Sequence, residues 1–207
     1  MSTIEYRGEL VKLPPDDELS RRLEETGEWE PEVTAYIQEN VPRGATCVDM
    51  GAHIGIHTID LRLAAGATGR VVSLEPHPHT FVYLQGNVTK WSNVEPYQVG
   101  VSSRTGIRRF GVVRNMDIVT MTEETEEGFK APVVGPNFFG NVDVVKMDIE
   151  GEEENVLPAL NYMNFDHLIV EFHDYAYPEF VKEDLKKCLE TTGNVTYSGR
   201  TAFWSKE

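Results

Sequence analysis

Between residues 46 and 191 the chain alternates short apolar runs with longer amphipathic ones, and this restricts the possible folds more than any other feature. Residues 46–50, 70–75, 94–101, 142–148 and 167–173 read as strands. Helical patterns at 55–65, 78–90, 152–163 and 178–191 follow four of them, while 94–101 runs into an apparent hairpin at 105–114. Strand–helix alternation of this kind predicts a parallel sheet covered on both faces. Two short strands near 194–198 and 201–205, parted by Gly199-Arg200, predict an antiparallel edge. Residues 115–141, rich in Thr, Glu, Gly and Pro, read as an irregular insertion. Ahead of the first strand, Pro14-Pro15-Asp16-Asp17 and Pro31 each signal a helix start. The predicted organisation is an N-terminal helical extension at 1–44 and a sheet domain at 45–207. The two N-terminal helices would either cover a ligand site or pack on the sheet edge.

Within this frame residues 48–58, V-D-M-G-A-H-I-G-I-H-T, carry the strongest functional signal. A strand ends in Asp49, a turn holds Gly51 and Gly55, and an amphipathic helix begins at once. Glycines permit the tight turn and close ligand approach, and the helix N-terminus offers unpaired N–H groups. The second strand ends in Glu75-Pro76, where an acid would grip ribose hydroxyls. A dinucleotide fingerprint wants glycine where this chain has His53 and Ile56, and no G-K-[ST] of a phosphate loop occurs. A nucleoside ligand without a diphosphate, such as S-adenosylmethionine, suits the pattern. A nicotinamide-dependent oxidoreductase and a non-catalytic nucleoside-binding module are the alternatives.

Charge narrows the partners. The 34 acidic residues against 19 basic ones give a formal net charge of −15, which disfavours general nucleic-acid binding. Residues 104–114 form a local exception with Arg104, Arg108, Arg109 and Arg114 and no acid. They read either as a solvated hairpin face or as a contact for an anionic acceptor. The acid-rich composition suits a salt-loving source or an ordinary acidic cytosolic protein. No apolar run nears the ~18 residues of a membrane span and no signal pattern opens the chain, so the expected location is the cytoplasm. Cys47 and Cys188 have no metal spacing and read as buried free thiols.

The motifs V-D-M-G-A-H-I-G-I-H-T, V-V-S-L-E-P-H-P, L-x-x-N at 84–87, V-G-V-S-S-R-T-G and V-V-K-M-D-I-E-G-E-E together resemble the FkbM-type family of S-adenosylmethionine-dependent methyltransferases. The likeness covers roughly residues 45–175, with His53 where the family usually has Asn. It implies a seven-stranded, mostly parallel, doubly wound sheet (the class I methyltransferase, Rossmann-like fold) preceded by the N-terminal helices. It also implies cofactor contacts from Asp49, Gly51, Ala52, His53, Ile54 and Gly55 at the methionine end, with Thr58 offering a hydroxyl to the carboxylate. Glu75, beside Pro76, would hold the ribose, Val101 and Ser102 would border the adenine, and Asp148 would sit near the reactive methyl. The acceptor implied is a small-molecule or sugar hydroxyl.

Removing a proton from a hydroxyl acceptor calls for a base at the carboxyl edge of the sheet. Asp148, Glu150 and His173 are the catalytic candidates there, with Glu171 on the same strand face as His173. Asp148 and Glu150 also suit a helix N-terminus, and Glu152–Glu154 read as a mostly solvated helix start. His57, His77 and His79 read as capping or surface residues. No metal is assigned. Asp148 with Glu171 and Asp174 would offer hard oxygen ligands for Mg²⁺, but nothing in the spacing requires one.

Overall fold

The computed structural model describes residues 2–113, 118–121, 128–173 and 175–206. Its centre is a seven-stranded sheet. The chain enters through a hairpin, β1 (Ser2–Tyr6) and β2 (Glu9–Leu13), then helices α1 (Glu18–Thr26) and α2 (Pro31–Asn40). The core follows as β3 (Thr46–Met50), α3 (Ile56–Ala65), β4 (Arg70–Leu74), α4 (Pro78–Val88) and β5 (Val94–Tyr97). Four strands of a side sheet come next: β6 (Gly100–Val101), β7 (Gly106–Val113), β8 (Ile118–Met121) and β9 (Phe129–Val134). The core resumes with β10 (Val144–Met147), the short α5 (Glu153–Val156), β11 (His167–Glu171), α6 (Glu179–Glu190), β12 (Asn194–Ser198) and β13 (Thr201–Ser205).

The main sheet runs β12-β13-β11-β10-β3-β4-β5. Its neighbours from β5 to β11 pair in parallel, and β13 pairs antiparallel to both β11 and β12, as the terminal hairpin predicted. The central strands are apolar on both faces because helices cover both sides. Alternate residues feed two cores. Val48, Met50, Val145, Met147, Leu168 and Val170 meet Val156, Leu185 and Leu189 on one side. Cys47, Val71, Val144 and Ile169 meet Val33, Ile37, Leu61 and Leu84 on the other. The chain builds outward from β3 to β5 and then crosses back to β10, on the opposite side of β3. The strand order therefore switches between β3 and β10, and a crevice opens at their carboxyl ends.

Four regions differ from the sequence expectation. The N-terminal extension is not purely helical: residues 2–13 form a hairpin, with register Ser2↔Leu13 to Tyr6↔Glu9. Its alternate residues Tyr6, Val11 and Leu13 pack with Leu19 and Leu23 onto Ile54, Ile56 and Ile59. The hairpin is latched by the Tyr6 hydroxyl, which donates to buried Asp60 at 3.0 and 3.2 Å. Asn87, the polar member of the 84–87 motif, fastens the other end. It accepts the Lys12 N–H at 2.8 Å and donates to the Lys12 and Ile54 carbonyls at 3.1 and 2.9 Å. Second, the stretch expected as one strand at 94–101 divides. β5 stays in the main sheet, whereas β6 pairs with β9 and joins the side sheet β6-β9-β7-β8. Third, the stretch expected to be an irregular insertion supplies β8 and β9 to that sheet, both antiparallel to β7. The helix expected at 152–163 is one α-turn and then a 3₁₀ segment at Leu157–Tyr162, because Pro158 cannot donate to an α-helical ladder.

Cys47 is buried and Cys188 exposed, both free, so the expectation of two buried thiols holds for Cys47 alone. Among the described residues no helix is long and apolar enough to cross a membrane.

Candidate functional site

A cavity of about 260 Å³ opens at the switch point. Of the residues singled out from sequence, Gly51, Ala52, His53, Glu75, Pro76, Val101, Asp148, Glu150 and His173 line it. The α1–α2 segment roofs it with Asp17, Glu18, Leu19, Trp29 and Glu30, and the side sheet adds Gly100 and Phe110. The N-terminal segment thus covers the cavity, one of the two things considered for it, and it packs on α3 rather than on the sheet edge.

The glycine turn is fixed by its neighbours. Gly51 has φ +80, and a Cβ there would lie 1.7 Å from the Asp148 carbonyl oxygen. The tips of β3 and β10 therefore touch through bare backbone. His53 also adopts a left-handed conformation (φ 50), which turns its N–H to Glu75 Oε2 at 3.0 Å. The other Glu75 oxygen accepts the His77 N–H at 2.8 Å. Glu75 is nearly buried, and burial, helped by the charges of Asp148 and Asp49, pushes its carboxyl up to about 7 against those two amides. The His53 imidazole faces Asp17 of the roof at 3.4 Å. Burial lowers its proton affinity, and its Nδ1 has no hydrogen-bond partner.

Asp49, Ile54, Gly55 and Thr58 stand behind this wall. Asp49 is wholly buried and accepts the Thr58 hydroxyl at 2.6 Å, so that hydroxyl is engaged inside the protein rather than turned to the cavity. Gly55 caps α3, and a Cβ there would meet Leu84 Cδ1 at 2.8 Å. Ser102 is likewise buried behind the lining, and its hydroxyl acts on Glu152. The apolar wall beside Val101 is instead Phe110, stacked on Phe129 at 5.3 Å, with His77 edge-on to Phe129 at 5.1 Å. Phe110 escaped the sequence reading because its place depends on the side-sheet pairing.

The opposite wall is a network of charges. Lys146, buried in β10, places Nζ 3.2 Å from Asp148 Oδ2 and 3.8 Å from Asp49 Oδ1. Burial opposes its charge, but the two carboxylates outweigh that and raise its pKa. Asp148 in turn is lowered, its burial overcome by the charges of Lys146 and His173. His173 is 3% exposed, with Nδ1 3.0 Å from Glu153 Oε1 and Nε2 3.5 and 3.2 Å from Asp148 Oδ1 and Glu150 Oε2. Burial alone would depress this imidazole. The Glu153 hydrogen bond and the charges of Asp148, Glu153 and Glu150 push it up to about 9.

Glu153 corrects the expectation of a solvated helix start. It is wholly buried and also accepts the Ile149 and Gly151 N–H groups at 3.2 and 2.9 Å, which shapes the loop that carries Glu150. Glu150 sits in a left-handed conformation (φ 54), accepts the Tyr175 hydroxyl, and has its proton affinity raised by burial and by Asp148. Glu171, pushed up to about 8 by burial and the Asp148 charge, pairs with Arg200 at 2.6 Å. Lys146 was present in the fourth-strand motif and was the readable signal missed: a cation inside an otherwise apolar strand needs acids beside it.

None of Arg104, Arg108 and Arg109 lines the cavity, and Arg114 and Asp174 lie outside the described residues. The guanidinium at the cavity is Arg200. His77 caps α4, accepting the Thr80 N–H at 3.3 Å, as its capping reading expected. His57 is not a surface residue: it is buried, 2.9 Å from Glu30 and 3.2 Å from Asp60. Those hydrogen bonds overcome the burial penalty and push it up to about 9.

No protein-family model matches the chain, and no curated protein matches it by sequence. Solved structures do. A SAM-dependent O-methyltransferase from Thermotoga maritima is similar with TM-score 0.54 at 13% identity, covering 100% of this chain and 85% of that one. Aeropyrum pernix fibrillarin in complex with natively bound S-adenosyl-L-methionine gives 0.52 at 12%, covering 86% and 74%. Methyltransferase FkbM from Methylobacillus flagellatus gives 0.51 at 16%, covering 78% of this chain and 43% of that one. At these identities the likeness is one of fold: the chain has the Rossmann-like fold of class I SAM-dependent methyltransferases.

Proposed function

We propose that the chain is an S-adenosylmethionine-dependent methyltransferase of the FkbM type acting on a hydroxyl of a small molecule or sugar. One observation carries this reading. A near-buried carboxylate at the tip of β4, held by two backbone amides, shares one cavity with a glycine turn and a charged cluster at the tips of β10 and β11. The chemistry of the lining fits a sulfonium ligand, because seven acids, Asp17, Glu18, Glu30, Glu75, Asp148, Glu150 and Glu171, stand there against four basic groups, Lys146, Arg200, His57 and His173. A ligand with a permanent positive charge offsets that excess, whereas a diphosphate would add to it.

In this reading Gly51, Ala52 and His53 receive the methionine part, with Asp49, Ile54, Gly55 and Thr58 supporting that turn from behind. Glu75 takes the ribose hydroxyls next to Pro76, and Val101 and Phe110 flank the base. The bound cofactor supplies an electrophilic methyl group. Asp148, Glu150 and His173 face the acceptor and handle its proton, with Lys146 keeping Asp148 ionised and Glu153 fixing the His173 ring. Phe110, Trp29 and the α1 roof exclude water, which strengthens every charge interaction inside.

An RNA acceptor is disfavoured by the net charge of −15 and by the absence of Arg104, Arg108 and Arg109 from the cavity lining. Thermal-shift screening with S-adenosylmethionine against NAD separates the leading reading from an oxidoreductase. A tritiated methyl-transfer assay on cell-extract fractions, run at low and high salt, then tests catalysis. Stabilisation by NAD alone would overturn the proposal. Tight cofactor binding without transfer to any fraction would favour the non-catalytic module.

A further inference from the structure

We infer that Asp148, Glu150 and His173 form a binding site for one divalent cation of the Mn²⁺ class at the acceptor end of the cavity. The inference rests on the methyltransferase reading only for the ion's role, not for its binding. The ligand atoms of the three residues all lie within 4.8 Å of one another. The two carboxylate oxygens stand 3.5 and 3.2 Å from His173 Nε2. An octahedral ion with bonds of about 2.1 Å holds adjacent ligands about 3.0 Å apart, so the two nitrogen–oxygen pairs need to close by only a few tenths of an ångström, with the two carboxylates swinging together around the ring.

The surroundings are those of a held ligand set rather than a chance group of acids. His173 is 3% exposed, and its hydrogen bond is made at Nδ1, to wholly buried Glu153. A carboxylate behind the ring keeps Nδ1 protonated and aims Nε2, whose proton the ion displaces, at the cavity, the outer-shell arrangement of metal-bound histidines. Asp148 gives one oxygen to Lys146; the other, Oδ1, is buried, has no hydrogen-bond partner and faces the ring. Glu150 is steadied by the Tyr175 hydroxyl. The set differs from the all-oxygen one considered from sequence: Glu171 is paired with Arg200 instead. One imidazole and two carboxylates suit Mn²⁺, Fe²⁺ or Zn²⁺ better than the harder Mg²⁺.

Three protein ligands leave positions open toward the cavity. With the ion in place the three side chains act on the proton through it rather than by accepting it: an acceptor hydroxyl taking an open position becomes more acidic and passes its proton to solvent, leaving the oxygen ready to accept a methyl group. The ion thus also answers why the acceptor end gathers two carboxylates around an imidazole.

Mn²⁺ titration followed by electron paramagnetic resonance, at salt high enough to screen the acidic surface, tests this directly. One saturable site is expected, with nitrogen coupling from His173 in the pulsed spectrum. His173→Ala should lose that coupling, and Asp148→Asn and Glu150→Gln should each weaken binding at least about tenfold. Circular dichroism checks that each variant folds, and Glu150→Gln, at the cavity mouth, serves if His173→Ala does not. Glu75→Ala should bind Mn²⁺ as wild type does while binding the nucleoside about a hundredfold more weakly, so failure of the cofactor reading and of the metal reading appear separately. Unsaturable binding, an adventitious ion only, or saturable binding unchanged in the ligand variants would overturn the inference.

Discussion

The two walls of the cavity are made of different materials. Across β3 and β4 the wall is backbone: a glycine turn, two amides and one carboxylate, Glu75, that those amides hold. Across β10 and β11 it is charge: Lys146, Asp148, Glu150, Glu153 and His173 in one network, with the Glu171–Arg200 pair beside it. A backbone wall has a shape that no side-chain replacement easily changes, which suits a ligand that never varies. A charged wall can be retuned residue by residue, which suits a varied acceptor and a proton that must move. Under the proposed function the difference makes binding and chemistry separable, the two walls meeting at a seam where Gly51 lies against the Asp148 carbonyl and Lys146 reaches Asp49.

Breaking the seam should give the largest effect. In Gly51→Ala the new Cβ meets backbone atoms at 1.7 and 2.8 Å, and φ is +80, so neither side-chain motion nor a relaxed backbone relieves it. The expected loss is about 5 kcal/mol or more by urea denaturation, together with loss of both cofactor and Mn²⁺ binding. A stable protein that still binds either one would show the walls to be independent even here. Next comes Glu153→Ala, confined to the charged wall. It strands the Ile149 and Gly151 amides and leaves His173 without its partner. A loss of about 4 kcal/mol is expected, as when a buried ion pair is broken. Calorimetry with S-adenosylmethionine should nevertheless give wild-type affinity, and a large drop there would collapse the distinction between the walls.

The same contrast explains what the sequence made legible. The backbone wall is local: a strand, two glycines four residues apart, a helix, and an acid at the end of the next strand are written in order at 46–75. Strand–helix alternation likewise pointed to the parallel sheet and the terminal hairpin to its antiparallel edge, while the seven-stranded fold was what the family resemblance implied. The charged wall joins residues 146–153 to 171–175 and 200, and only the register of β10, β11 and β13 decides which acids meet which bases. Asp148, Glu150 and His173 could be named from their strand ends, but Glu153 could not. Its helix-start position predicts exposure, and only the three donors converging on it explain its burial. The β1–β2 hairpin and the side sheet were missed for a related reason. Their short strands are stabilised by what they pack against, Ile54 and Ile59 in one case and the cavity mouth in the other.

A smaller effect than either is expected from Glu75→Ala, which removes the one side-chain acceptor of the backbone wall. Two hydrogen bonds from ribose hydroxyls to a carboxylate are worth about 3 kcal/mol, so calorimetric affinity for S-adenosylmethionine should fall about a hundredfold. The His53 and His77 amides turn to water, and Mn²⁺ binding stays as in wild type.

The smallest effect is the most specific to this wall, because it comes from proton competition at Glu75 alone. Burial, and after it the Asp148 and Asp49 charges, set its carboxyl to about 7 in the free protein. Ribose hydroxyls donate to the ionised form, so the ligand must displace a proton wherever that carboxyl is protonated. Affinity is therefore complete above pH 7 and falls as pH drops through it. For a pKa near 7 the association constant should fall about tenfold from pH 8 to pH 6, about 1.4 kcal/mol, with proton uptake from the protein into buffer detectable as a buffer-dependent enthalpy. In Glu75→Ala this slope should vanish while the weaker binding remains. A slope that survives the substitution would place the titrating group on the charged wall, and cofactor binding would then not be the property of the backbone wall alone.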